Sequence, residues 1–96
     1  MIVEHVLLPV AAERRADFLE AFEKARHFIE PSPGFRALSL HTPVEAGGPM
    51  LLLVTWDSVG HHQEGFRQSD RYQAWKALLH PFYPTMPDVR YFSEAV

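Results

Sequence analysis

The apolar positions of this chain change their period several times, and each change marks an element. Residues 2–8, IVEHVLL, alternate imperfectly and are rich in β-branched and aliphatic side chains, the pattern of a strand. Val3, His5 and Leu7 share one face of it; Ile2, Glu4, Val6 and Leu8 share the other. Pro9 ends the strand. Over residues 12–30 the period lengthens to that of a helix. Phe18, Phe22, Ala25 and Ile29 form one stripe, while Glu13, Arg14, Glu20, Glu23 and Lys24 point elsewhere. Pro31-Ser32-Pro33-Gly34 stops the helix and turns the chain. Residues 35–42 read as a second strand. Residues 45–49, with Gly47-Gly48, make a hairpin-like connection to a third strand at 50–56.

The third strand is apolar on both faces. Met50, Leu52, Val54 and Trp56 point one way, Leu51 and Leu53 the other. Asp57 or Ser58 can cap a short helix near 59–67, and Ser69 or Asp70 another near 70–79. In the second of these, Tyr72, Trp75 and Leu79 share a face. Pro81, Pro84 and Pro87 cannot continue it, and residues 88–93 make a last strand.

The order β-α-β-β-α-β, with short connections and right-handed crossovers, specifies an α+β fold: a ferredoxin-like antiparallel sheet with its helices on one face. The doubly apolar third strand then has a consequence. Helices cover one face only, so the other needs a partner, and a homodimer through the sheet face supplies it. A chain of 96 residues is one domain, 1–96. At this size a fold buries only roughly 60–65% of its unfolded surface, so a second copy also helps stability.

Composition narrows the function classes. The net charge is −3, with Arg and Lys scattered, so there is no basic stripe for a nucleic acid. There is no cysteine, which excludes disulfides, thiol nucleophiles and thiolate metal sites. Neither a basic leader nor a long apolar run precedes the first strand, so the expected location is cytoplasmic, with no membrane partner. Six histidines raise the question of a metal. No pair stands at i, i+4 on one helix and no His-Glu-x-x-His motif occurs, so no metal site is expected.

Several motifs fall in a familiar order. They are IVEHVLL in the first strand, Phe18 and Phe22 in the first long helix, and Pro33-Gly34-Phe35 opening the second strand. Trp56-Asp57-Ser58 ends the third strand, His62 follows, and Phe66-Arg67 precedes Ser69 and Tyr72. With this arrangement the chain resembles the antibiotic-biosynthesis-monooxygenase family over nearly its whole length. The resemblance implies a dimeric α+β barrel, with a pocket in each subunit between its own sheet and helices. It also implies one of several activities: cofactor-free oxygenation of aromatics, haem degradation, or an uncharacterised role.

The haem-degrading branch of such proteins uses an asparagine on the first strand, and a tryptophan and a haem-ligating histidine on the second helix. Aligned without gaps, these fall on His5, Gly65 and Trp75, so none matches. The quinone-forming branch needs a dry pocket, a base near a substrate hydroxyl, and donors for a developing anion. An asparagine serves that chemistry in some members, and this chain has none.

By this resemblance the chain is expected to be a monooxygenase of a small aromatic or quinol-type compound that uses no cofactor. The alternative is a non-catalytic small-molecule-binding or stress-related dimer. On the short helix Val59, His62 and Phe66 form an inward stripe, so His62 is the leading candidate base, titrating at about pH 6.5 when unperturbed. His5 is the second, if the Val3-His5-Leu7 face is the one that meets the helices. Trp56, Tyr72, Trp75 and Phe66 are the expected walls for an aromatic ligand. His61 reads as solvent-facing, Tyr83 as part of a lid. Arg67 and Arg71 read either as a solvated charged face or as partners of an anion.

Overall fold

The structure, a computed structural model, describes all 96 residues. Strand β1 (Ile2–Leu8) leads through a short 3-10 turn (Ala12–Arg14) into helix α1 (Arg15–Ile29). Strands β2 (Phe35–His41) and β3 (Met50–Trp56) follow as an antiparallel hairpin. A single π turn (His61–Phe66) and helix α2 (Asp70–Leu79) come next, then a 3-10 turn (His80–Phe82) and strand β4 (Val89–Ser93). All pairings are antiparallel and the sheet order is β2-β3-β1-β4. This is the ferredoxin-like α+β architecture that the sequence pattern implies.

The stripe on α1 packs as its spacing requires: Phe18, Phe22, Ala25 and Ile29 are all buried. They meet Val6, Leu8, Met50, Leu52 and Val54 from the sheet and Trp75 and Leu79 from α2. Each such aliphatic or aromatic side chain stabilises the fold by about 1.5–3 kcal/mol relative to exposure. Ser69 caps α2, its hydroxyl accepting from the Tyr72 N–H. Gly34 sits at φ +82°. A Cβ there would lie 2.3 Å from the His61 ring, so the turn demands glycine on both conformational and steric grounds.

Register decides which side of β1 meets the helices. Glu4, Val6 and Leu8 are buried beneath them, and their β3 partners are Val54, Leu52 and Met50. Val3, His5 and Leu7 look away, beside Thr55, Leu53 and Leu51 of β3 and Phe92 and Arg90 of β4. On this outer face Leu7 is 49% and Phe92 52% exposed, and no helix covers it. No helix of the chain is long and apolar enough to cross a membrane.

Candidate functional site

Between β3 and α2 the chain uses Ser58 to start a turn. The Ser58 hydroxyl accepts from the His61 N–H at 3.3 Å and bonds His61 Nδ1 at 2.8 Å. His61 is therefore a half-buried latch over Gly34, not the solvent-facing residue that its position suggests. The turn is wider than an α-helix: the Arg67 N–H donates to the His62 carbonyl at 2.9 Å, five residues back. Within it His62 and Phe66 both point inward, 4% and 1% exposed.

His62 is one of a group of four polar side chains at the sheet. Its Nδ1 lies 2.6 Å from the Tyr91 hydroxyl, and its Nε2 lies 3.4 Å from Oε1 of Glu4. The same Glu4 oxygen accepts from Trp56 Nε1 at 2.9 Å. Cross-strand pairing sets this up, because Glu4 stands opposite Tyr91 on β4 and Val54 on β3. Burial pushes the Glu4 carboxyl up to about 7, against the opposing pull of the Trp56 donor and the Arg67 charge. Burial, and then Arg67, pull His62 down to about 4. At neutral pH the imidazole is thus uncharged and Glu4 is half ionised, so their contact is a neutral or singly charged pair and not a salt bridge. With the ring proton on Nε2, Nδ1 accepts from Tyr91 and Nε2–H points to the ionised carboxylate. With it on Nδ1, Nε2 can accept from a protonated Glu4.

This group closes one end of a cavity of about 80 Å³. Val6, Leu8 and Leu52 of the sheet form its floor, and Phe66 and Trp75 its aromatic side. Arg67, Tyr72 and His80 also border it, with Met86 and Pro87 of the proline-rich segment. The exposed members, Arg67 and Met86, mark the mouth.

The candidate residues therefore divide. His62, Phe66, Tyr72 and Trp75 line this one cavity. His5 does not: its strand face is the outer one, where its ring packs edge-on against Phe92 at 5.5 Å. Alternation moves it to the opposite side of the sheet from His62, and the inward position belongs to Glu4. Trp56 is not a wall either. It is fully buried behind the cavity, between Phe35, His62 and Phe66, and reaches the site only through its N–H to Glu4. Tyr83 does border the cavity, as a lid residue would. Glu4 and Tyr91 join His62 in the structure without being among the residues that the sequence pattern singles out. The signal for Glu4 was available: an acid between Ile2 and Val6 on an otherwise apolar strand face.

No group of three or more His, Asp or Glu side chains is placed to hold a metal ion. The cavity residues also do not fit a haem. Both His62 nitrogens face protein partners, and His80 is wedged against the Tyr72 and Tyr83 rings. The enclosed volume is far below that of a porphyrin.

A four-stranded antiparallel sheet, two helices on one face, and a polar-ended apolar cavity between them define a ferredoxin-like α+β domain with an internal cavity. Residues 1–78 match the family model for antibiotic biosynthesis monooxygenase, and the chain belongs to that family. It is 38% identical over 94 residues to the uncharacterized protein YczJ of Bacillus subtilis, spanning 98% of this chain and 99% of that one. A candidate antibiotic biosynthesis monooxygenase of Bordetella bronchiseptica superposes with a TM-score of 0.91 at 29% identity, over 99% of this chain and 97% of that one. The haem degrader MhuD of Mycobacterium tuberculosis superposes with a TM-score of 0.78 over 100% of this chain and 97% of its own. At 21% identity that likeness concerns the fold alone.

Proposed function

We propose that this protein is a cofactor-independent monooxygenase of a small phenolic or quinol-type ring, with Glu4 as the base and His62 as its proton-sharing partner. One observation carries the reading: a buried carboxyl, raised to about 7, stands beside a neutral imidazole at the end of an aromatic cavity. A base is most effective when its pKa lies near the working pH, and proton transfer of this kind contributes about 10²–10⁴-fold. The apolar walls exclude water, which keeps the carboxylate basic.

In the proposed reaction ionised Glu4 takes the phenolic proton. The phenolate gives one electron to O₂, and the ring radical and superoxide combine to form a C–O bond at a ring carbon. The proton on Glu4 passes to the peroxide. Glu4 then takes the ring hydrogen as a proton, the O–O bond breaks, and the departing hydroxide receives that proton as water. The sum is phenol plus O₂ giving quinone plus water: the substrate is the reductant, and oxygen is the oxidant. The Tyr91 hydroxyl, 2.6 Å from His62, extends the proton path away from the cavity.

We further propose that the outer sheet face is a homodimer interface, because Leu7 and Phe92 lie on it exposed beside Leu51 and Leu53.

The test is oxygen uptake with a panel of phenols and quinols, without added metal or flavin, for the native protein, Glu4→Gln and His62→Ala. Catalysed uptake that falls at least about tenfold in both variants is expected. Ligand-induced stabilisation with no uptake from any compound would favour the binding-protein alternative. Uptake indifferent to both substitutions would remove these residues from the chemistry.

A further inference from the structure

Arg67 is the one arginine that lines the cavity. Arg26 pairs with Glu23 and Glu30, Arg36 with Asp57, and Arg71 donates to Ser32. Arg67 makes no ion pair and no side-chain hydrogen bond, although it borders the cavity. Its guanidinium lies 5.8 Å from the centroid of the Tyr72 ring, itself a cavity residue, which holds the charge at the mouth. Its field is felt inside: the same cation acts on Glu4, His62, His80 and Tyr91. Arg67 is exposed at the mouth and hydrated there, and with no protein carboxylate on it the guanidinium is free to take an anion that a cavity ligand presents at that end.

Size and charge restrict that anion. About 80 Å³ of enclosed space is less than the roughly 150 Å³ of an engineered cavity that encloses benzene. The space therefore cannot enclose even one ring completely: a single ring enters only in part, edge first, and its outer substituent stays at the open mouth, where Arg67 is. A single guanidinium matches a planar carboxylate through two parallel hydrogen bonds. For a phosphate, with nearly two charges, the cavity lining offers only one cation: Lys76 is near enough to act on His80 but does not line the cavity, and burial lowers His80 from its ordinary range.

We propose that the cavity binds a single-ring aromatic carrying both a hydroxyl and a carboxylate, with the hydroxyl directed to Glu4 and the carboxylate held by Arg67. The identity of the hydroxyl end rests on the oxygenase reading above; the carboxylate end rests on Arg67 alone.

The experiment measures binding under argon, so that it does not depend on turnover. The three hydroxybenzoate isomers and the matching hydroxybenzamides, which are nearly the same shape but neutral, are titrated calorimetrically into the native protein and Arg67→Gln. At least one acid is expected to bind the native protein ten-fold or more tighter than its amide, and Arg67→Gln to reduce that preference below about twofold while keeping the amide's affinity. Equal affinity of every acid and its amide for the native protein overturns the proposal, as does a preference that survives Arg67→Gln. Oxygen uptake by the same compounds is then measured separately. Acid-selective binding without uptake sinks the oxygenase reading and leaves this one standing. Uptake with neutral phenols and no acid preference does the reverse.

Discussion

The two faces of strand β1 are built from alternate residues of one seven-residue segment, yet they are physically different places. The inner face presents Glu4, Val6 and Leu8 to the helices, and all three are buried. The outer face presents Val3, His5 and Leu7 to open space, with Leu7 half exposed. Each face carries one titratable residue among apolar neighbours. Only the inner one is enclosed by low-polarity walls, given a donor in Trp56 and left beside a cavity. A one-residue offset along a strand therefore separates a tuned acid from a histidine that packs on a phenylalanine.

The sharpest test of that contrast exchanges chemistry at the two positions. Glu4→Gln keeps the shape and the Trp56 hydrogen bond but cannot accept a substrate proton. It is expected to lower oxygen uptake at least about tenfold. His5→Gln, one residue along, is expected to leave uptake within about twofold, since no cavity atom depends on it. Similar losses from both would mean that the outer face contributes to the site.

The outer face can be broken by charge. Leu7→Asp together with Phe92→Asp places carboxylates where apolar surface would be covered in a dimer, and desolvating them costs several kcal/mol per ion. Light scattering on the eluting protein should show the native chain as a dimer and the double variant as a monomer. The inner face should keep its ligand affinity within a few-fold, because the sheet residues of the cavity, Glu4, Val6, Leu8 and Leu52, lie on the opposite face from Leu7 and Phe92. A native protein that elutes as a monomer at high concentration would refute the interface.

The architecture was readable because alternation, the helical stripe and the Pro-Gly stop signal are local features. The inward aim of His62 and Phe66 was readable too, although the π turn that produces it was not. Which face of β1 turns inward is a different kind of fact. Val3-His5-Leu7 and Ile2-Glu4-Val6-Leu8 are almost equally apolar, so alternation alone gives no polar-out signal; the proposed dimer, by burying both faces, would account for that. Trp56 poses a separate problem: a large aromatic at a strand end fits a wall or a core, and its packing against Phe35, His62 and Phe66 places it behind the cavity. Tyr91 is separated from His62 by 29 residues, and no spacing rule connects them.

The inner face also has a pH signature. Glu4 is raised in the folded state, so its contribution to stability is fully present below about 4.5 and is lost as pH rises through about 7. His62 is lowered, so its contribution is present above about 6.5 and is lost as pH falls to about 4. Between 4.5 and 6.5 the two oppose each other. Glu4→Gln removes one of them, and the melting temperature of the native protein minus that of the variant isolates it from every other group. That difference should fall by several degrees from pH 4.5 to pH 7.5. A flat difference would mean that Glu4 is an ordinary carboxyl. Turnover should move the other way, rising through about pH 7 as Glu4 ionises, while binding of a carboxylate-bearing ligand weakens because a second negative charge has appeared in the cavity.

The smallest effect concerns how the inner face is held in place. Gly34→Ala introduces a Cβ at φ +82°, costing about 1 kcal/mol in conformation, and drives it into the His61 ring. His61 is tied to Ser58, one residue before His62. Pushing the ring away should disturb the π turn, and through it the spacing of His62 from Glu4. Gly34→Ala is thus expected to lower the melting temperature and to weaken binding of an aromatic ligand together. Adding His61→Ala removes the clash but not the unfavourable φ. The double variant should recover ligand affinity fully and stability only in part. Recovery of both would show that the backbone at Gly34 relaxes to negative φ. Recovery of neither would show that the latch itself, Ser58 to His61, is what positions His62.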